Sequence, residues 1–142
     1  MPHRAQRAAV KAEQAAAAAT DAPRDPLVMY MVMRKDLKSQ FKFTTGALMA
    51  QAAHGTAKAL HVFRDRLDTE AYLDDIDHMH KVTLRVATGS ELTDTAERLD
   101  AAGVPYVIWV ENPERIETCL VTAPGRKSVI GSHLRHLSLF TN

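Results

Sequence analysis

The chain has 142 residues, 46% of them hydrophobic, and a formal net charge of +1. That length gives room for one core and excludes two ordinary domains, and the near-neutral charge excludes a whole-surface field that steers nucleic acid, so any such attraction must come from local clusters. Cys119 is the single cysteine, which excludes an intramolecular disulfide and a multi-cysteine zinc site and fits a reducing compartment, the cytoplasm; no apolar run approaches the roughly 20 residues that a membrane-spanning helix requires.

Residues 1–26 are alanine-rich, carry Arg4, Arg7 and Lys11 against Glu13, and end in Pro23 and Pro26. This reads as a disordered or removable extension ahead of one domain over 27–142. A basic, acid-poor start is also how organelle transit peptides read, so a mitochondrial address is the alternative to the cytoplasm. Residues 27–33 form an unbroken apolar run of strand length, expected for a central strand covered on both faces. The loop after it is basic, with Arg34, Lys35, Lys38 and Lys42 against the one acid Asp36. Thr44 or Thr45 can cap a helix over 46–64, in which Met49, Ala53, Ala57 and Leu60 make an apolar stripe. Its many small residues, Gly55 among them, predict close packing on the sheet.

A shorter helix is predicted over 69–77. Residues 81–87 alternate, with Val82, Leu84 and Val86 facing one way, as in a half-exposed strand. Ser90 is taken as the cap of a third helix whose Leu92, Ala96 and Leu99 share a face and which Gly103 and Pro105 end. Residues 106–110 make another apolar strand, and a tight connection holding Asn112 and Pro113 leads to a strand over 118–122, paired with it as an antiparallel hairpin. A last helix follows Pro124 and Gly125. The order β-α-α-β-α-β-β-α predicts a three-layer α/β/α sandwich around a mixed four-stranded sheet.

In open α/β sheets, sites form outside the carboxyl ends of the strands. Two places satisfy this rule: residues 34–58, and Glu111 directly after the third strand. On the first long helix Ala47, Gln51, His54 and Lys58 lie four, three and four residues apart and share one polar face. From spacing alone this is either a solvated face or one side of a site. His78 with His80, and His133 with His136, have spacings a metal could use, but no acidic or cysteine partner sits at a fitting offset, so no metal and no cofactor is expected. The chain has no phosphate-cradling glycine loop and no nucleophile elbow, so a hydrolytic site would have to position water.

Met33-Arg34-Lys35-Asp36-Leu37 after a buried strand, then Gly46-Ala47-Leu48-Met49-Ala50-Gln51-Ala52-Ala53-His54, resembles the signature of the archaeal and eukaryotic type of peptidyl-tRNA hydrolase. Ala71-Tyr72-Leu73, Trp109-Val110-Glu111-Asn112-Pro113-Glu114, Ile116 and Thr118-Cys119 bring it near a diverged branch, the peptidyl-tRNA hydrolase domain-containing proteins. The resemblance implies metal-free hydrolysis of the ester joining a peptide or blocked amino acid to the 3′ end of tRNA. Carried over residue by residue, it gives Gln51, His54, Glu111 and Thr118 as the catalytic set. Arg34 and Asp36 match the strand-exit motif and, with Lys35, Lys38 and Lys42, are the expected contacts to the tRNA acceptor end. Two departures are visible: the lysine usually invoked in catalysis falls at Ala47, with Lys42 the nearest substitute, and the catalytic aspartate falls at Glu111. The alternative is a catalytically silent tRNA- or protein-binding module on the same fold, and an unrelated small-molecule hydrolase using the same cleft stays open as well. A homodimer is the other partner considered.

Overall fold

The computed structural model describes residues 25–141. The extension read over residues 1–26 lies outside them but for Asp25 and Pro26. Strand β1 (Leu27–Arg34) occupies the centre of the sheet, between β2 (Lys81–Val86), which is parallel to it, and β4 (Ile116–Thr122), which is antiparallel. Strand β3 (Tyr106–Glu111) pairs antiparallel with β4, as the hairpin reading expects.

The sheet is mixed, but it has six strands rather than four. Two short pieces were not legible: β5 (Gly125–Arg126), which pairs with the start of β1, and β6 (Ser138–Leu139), which pairs with β2. Two-residue strands have no alternation to read, and only their partners define them. The spatial order is β3-β4-β1-β2-β6, with β5 beside β1.

The basic loop after β1 contains one short helix, α1 (Asp36–Ser39). The long helix α2 (Thr45–Val62) is capped by Thr44, whose hydroxyl accepts the Ala47 N–H at 3.1 Å. Helix α3 (Leu67–Asp74) is followed by a 3-10 turn over Ile76–His78, which together replace the single helix expected over 69–77. Helix α4 (Gly89–Ala102) starts at Thr88 rather than Ser90: the Thr88 hydroxyl accepts the Glu91 N–H, and Glu91 accepts the Ala87 N–H at 2.7 Å. The sequence Thr-x-x-Glu resembles a capping box, with Glu91 reaching the N–H one residue before the cap, and these two bonds outcompete a serine two residues later. Gly103, at φ 70°, ends α4 in the left-handed conformation. Helix α5 (Lys127–Ser132) follows β5, with Asp25 accepting from both the Ser128 N–H and the Ser128 hydroxyl.

Alternation along β1 splits the core in two. Val28, Tyr30 and Val32 join Leu84, Val86 and the α4 residues Leu92, Ala96 and Leu99 on one face. Met29 and Met33 join Leu48, Ala59, Val107, Cys119 and Val121 on the face covered by α2. The stripe of α2 that is buried is not the one its apolar spacing suggests. Leu48, Gln51, Gly55 and Ala59 face the sheet, whereas Met49 is 69% exposed and Ala53 and Ala57 are also exposed.

The cause is Gly55. A Cβ built there would stand 2.6 Å from Val121 Cγ2 and 3.2 Å from Cys119 Sγ, so the helix backbone touches β4 directly. A helix in contact with a sheet through a missing side chain turns its neighbours one turn away inward too, and Gln51 is one of them.

Substituting Gly55 separates two opposed effects. Glycine to alanine in a helix interior gains about 1 kcal/mol of propensity, and the clash costs about 1–3 kcal/mol or more because its partners are core atoms. Gly55→Ala is therefore expected to lower the thermal midpoint by several degrees, while Gly46→Ala, whose nearest neighbour is 4.0 Å away, leaves it unchanged or raises it. Calorimetry on the two variants checks this.

Candidate functional site

The α2 face of β3 carries Val107, Trp109 and Glu111 by alternation, and the polar stripe of α2 lies against it. Each polar member of that stripe finds a partner on β3. Gln51 Nε2 donates to Glu111 Oε2; the His54 ring lies over Trp109 with centroids 4.7 Å apart and planes tilted by 30°; Lys58 Nζ donates to the Ile108 carbonyl at 2.9 Å. The stripe is buried against the sheet at Gln51 and stays exposed at His54 and Lys58.

Gln51 is the pivot of this arrangement. It is only 3% exposed, and a buried amide left without partners costs about 1–3 kcal/mol for each unmade bond. A carboxylate can only accept, so the amide must present its NH2 to Glu111 and its oxygen elsewhere. Thr118 satisfies that oxygen, its hydroxyl donating into the space between Gln51 Oε1 at 3.1 Å and the Trp109 carbonyl at 3.2 Å. Cys119 Sγ completes the set by donating to the Gln51 main-chain carbonyl at 3.4 Å.

Thr118 and Cys119 are adjacent in sequence, and in a regular strand they would point to opposite faces. The β3–β4 register explains how both reach α2. Trp109 pairs with Cys119 and Val110 with Glu117, so Thr118 is the extra residue of a bulge. A bulge re-aims the side chain it inserts, here toward the Gln51 amide. Thr118 and Cys119 are both 0% exposed, and the Thr118 hydroxyl bonds only to Gln51 and the Trp109 carbonyl among the described residues.

Among the described residues Glu111 has no lysine, arginine or histidine nitrogen within 4.0 Å. Lys42 does not fill that place: its ammonium donates to the Ser39 carbonyl at 3.3 Å within its own loop. Gln51 Nε2 is thus the one donor held on the Glu111 carboxylate. The Trp109 indole N–H is buried without a partner.

The strand-exit residues lie apart from this pair. Arg34 is engaged on all sides: Nε and Nη2 grip both oxygens of Asp36 at 3.0 and 2.9 Å, Nη1 donates to the Glu117 carbonyl at 3.1 Å, and its guanidinium lies 5.0 Å from the Phe41 ring centroid. The Arg34 side chain is 12% exposed and that of Asp36 9%. This two-pronged pair ties the α1 loop to β4. Lys35, Lys38 and Lys42 are exposed, with Lys38 Nζ donating to Thr45 Oγ1 at 2.9 Å. A cavity of about 710 Å³ opens beside them, on the opposite flank of α2 from Glu111. Among the described residues no three His, Cys, Asp or Glu side chains gather where they could hold a metal ion, and no helix is long and apolar enough to cross a membrane.

With this geometry in view, comparison with known proteins is decisive on kinship. Residues 27–140 match the family model described as "Peptidyl-tRNA hydrolase PTH2". The chain belongs to the PTH2 family. Its curated relatives include a human protein named "Putative peptidyl-tRNA hydrolase PTRHD1", 40% identical over 124 residues, covering 87% of this chain and 89% of the relative. The mouse protein of the same name is 41% identical over 115 residues, covering 80% and 82%. These relatives agree with the branch, the peptidyl-tRNA hydrolase domain-containing proteins, that the Trp109–Cys119 motifs resemble.

Burial pushes the Cys119 thiol up to about 11. At pH 8 only about one thiol in a thousand would then be ionised. The native protein is expected to resist alkylation by iodoacetamide at that pH and to react once unfolded in guanidinium, as mass spectrometry would show; labelling of the native form at the rate of the unfolded chain would contradict the packing of β4 against α2.

Proposed function

We propose that this PTH2-family chain hydrolyses the ester of peptidyl-tRNA or of an N-blocked aminoacyl-tRNA, releasing free tRNA, with water as nucleophile and no metal. The observation that carries the reading is the Gln51–Glu111 pair: an acceptor-only carboxylate held at a strand exit by an amide whose oxygen accepts from Thr118.

In this reading the Glu111 carboxylate accepts a proton from water as the water oxygen bonds to the ester carbonyl carbon. The carbonyl oxygen becomes an oxyanion, and the second N–H of Gln51 Nε2 is the donor aimed at it. Collapse breaks the bond to the ribose 3′ oxygen, which takes the proton back from Glu111. His54, exposed over Trp109, forms the outer wall. Lys35, Lys38 and Lys42 contact phosphates of the acceptor end, and Arg34 with Asp36 holds the loop that presents them. A base contributes roughly 10² to 10⁴ in rate and one fixed oxyanion donor about 3 kcal/mol, so Ala47, at the family's lysine position, implies a slow enzyme.

A second reading, a tRNA-binding module without activity, has one observation in its favour: no cation stands within 4.0 Å of Glu111 among the described residues. Release of an N-acetylated amino acid from its tRNA by purified protein separates the two. Hydrolysis is expected to continue with chelator present and to fall by at least about 100-fold in Glu111→Gln. Ala47→Lys, one helical turn before Gln51, is expected to raise the rate by up to about 100-fold, the worth of one donor. Salt-sensitive tRNA binding with no hydrolysis by the native protein or by Ala47→Lys would establish the binding module instead.

A further inference from the structure

The other flank of α2 is built as a cleft that the hydrolytic pair does not use. Helix α2 packs on β3, β4 and part of β1, and Thr83 of β2 lies open beside Met33, the register partner of Arg85. The floor is apolar and is closed at the far side by Phe140, whose N–H donates to the Thr83 carbonyl at 2.9 Å. Leu48, Met49 and Ala52 of α2 form the near wall, and Met49 is the exposed member of the apolar stripe that the sheet does not cover. Lys35 and Ala87 also line a smaller neighbouring cavity of about 310 Å³, beside Arg85 and His136.

The charge balance of this cleft is one-sided. Lys35 and Arg85 bond no side chain among the described residues, and Lys38 bonds only the neutral Thr45 hydroxyl. Of the two lining acids, Asp36 is neutralised by Arg34, and Glu91 has one oxygen held by the Ala87 N–H. Lys35, Lys38 and Arg85 therefore outnumber the one uncompensated carboxylate, Glu91, along the two neighbouring cavities, and Phe140 stands at the edge of the apolar floor. A groove that joins cations to an aromatic platform suits a single strand of nucleic acid, whose phosphates meet the cations and whose bases stack. An acidic peptide would use the cations, but it has less use for the partly buried Phe140 ring that lines the cleft.

We propose that this second cleft takes the unpaired 3′ strand of tRNA, with a base on Phe140 and phosphates at Arg85, Lys35 and Lys38. The strand then crosses the exposed first turn of α2, at Thr44 to Gly46, and delivers its terminal ester to Gln51 and Glu111 on the opposite flank. The assignment rests on the hydrolytic or tRNA-binding reading above, and it adds Arg85 and Phe140 to the residues that bind RNA.

The test is tRNA affinity across a salt series, using an uncharged tRNA and the same tRNA trimmed of its unpaired 3′ nucleotides, with a polyglutamate peptide as competitor. Arg85→Gln is expected to weaken intact tRNA about 10-fold and to reduce the salt slope by about one phosphate. Phe140→Ala is expected to weaken it about 5- to 100-fold, the range for losing one stacked base. Neither variant should change the affinity for trimmed tRNA. Arg85→Gln replaces a partly exposed side chain without a partner, so it stays informative if Phe140→Ala disturbs packing. Equal effects on intact and trimmed tRNA, no effect on either, or displacement of intact tRNA by polyglutamate at comparable affinity would each overturn the cleft assignment. In all three cases native tRNA binding and hydrolysis would leave the functional reading standing, whereas a native protein that neither binds nor hydrolyses tRNA would remove both.

Discussion

Helix α2 touches strand β4 where Gly55 has no side chain, with Val121 and Cys119 filling the space a Cβ would occupy. That contact sets the rotation of α2 about its axis, and the rotation determines what both of its flanks can be. It turns Gln51, a polar residue, toward the interior, where hydrogen bonds must replace lost water. Glu111 and Thr118 supply them, and the two elements that carry these residues are thereby locked to the helix. The same rotation leaves Met49 at 69% exposure and its neighbours facing an uncovered part of the sheet. A buried polar cluster on one side and an apolar, cationic cleft on the other are thus consequences of a single close approach.

The cluster illustrates how a carboxylate is oriented without a cation. An ion pair would hold Glu111 more strongly in a low dielectric, but it would also lower the basicity of the carboxylate. An amide donor fixes geometry and keeps most of the charge available. The amide cannot flip without setting its oxygen against the Glu111 carboxylate, which has no hydrogen to donate, and losing that bond costs about 1–3 kcal/mol. The bulge in β4 is what brings Thr118 to that oxygen while Cys119 still reaches the Gln51 carbonyl. Arg34 serves elsewhere, its planar fork spent on Asp36 and its remaining edge on the Glu117 carbonyl of the same strand.

Much of this arrangement was legible in the sequence, for reasons that differ by residue. Periodicity found β1, β2 and β3 because their alternation or continuous apolarity is long enough to read, and the strand-exit rule pointed to Glu111 before any contact was known. Spacing also placed Gln51, His54 and Lys58 on one face. What spacing could not say is that this face is partly buried, because the apolar stripe through Met49 competes with it and composition favours the stripe. The deciding residue, Gly55, signals close packing in the sequence but not its direction. Thr118 came only from the family resemblance, since a bulge depends on pairing between strands and leaves no local trace. The cap at Thr88 is marked by Thr-x-x-Glu, a stronger signal than Ser90 alone. Strands β5 and β6 were too short for any pattern.

The central claim is that Gln51 and Glu111 act as one unit, amide and carboxylate each set in place by the other. Single-turnover hydrolysis of an N-acetylated aminoacyl-tRNA by Glu111→Gln, Gln51→Met and the double variant tests it most directly, because residues that act together lose their effect together. The account predicts that the double variant is no more than a few-fold slower than the slower single variant. Losses that multiply, or a Gln51→Met protein as fast as the native one, would contradict it.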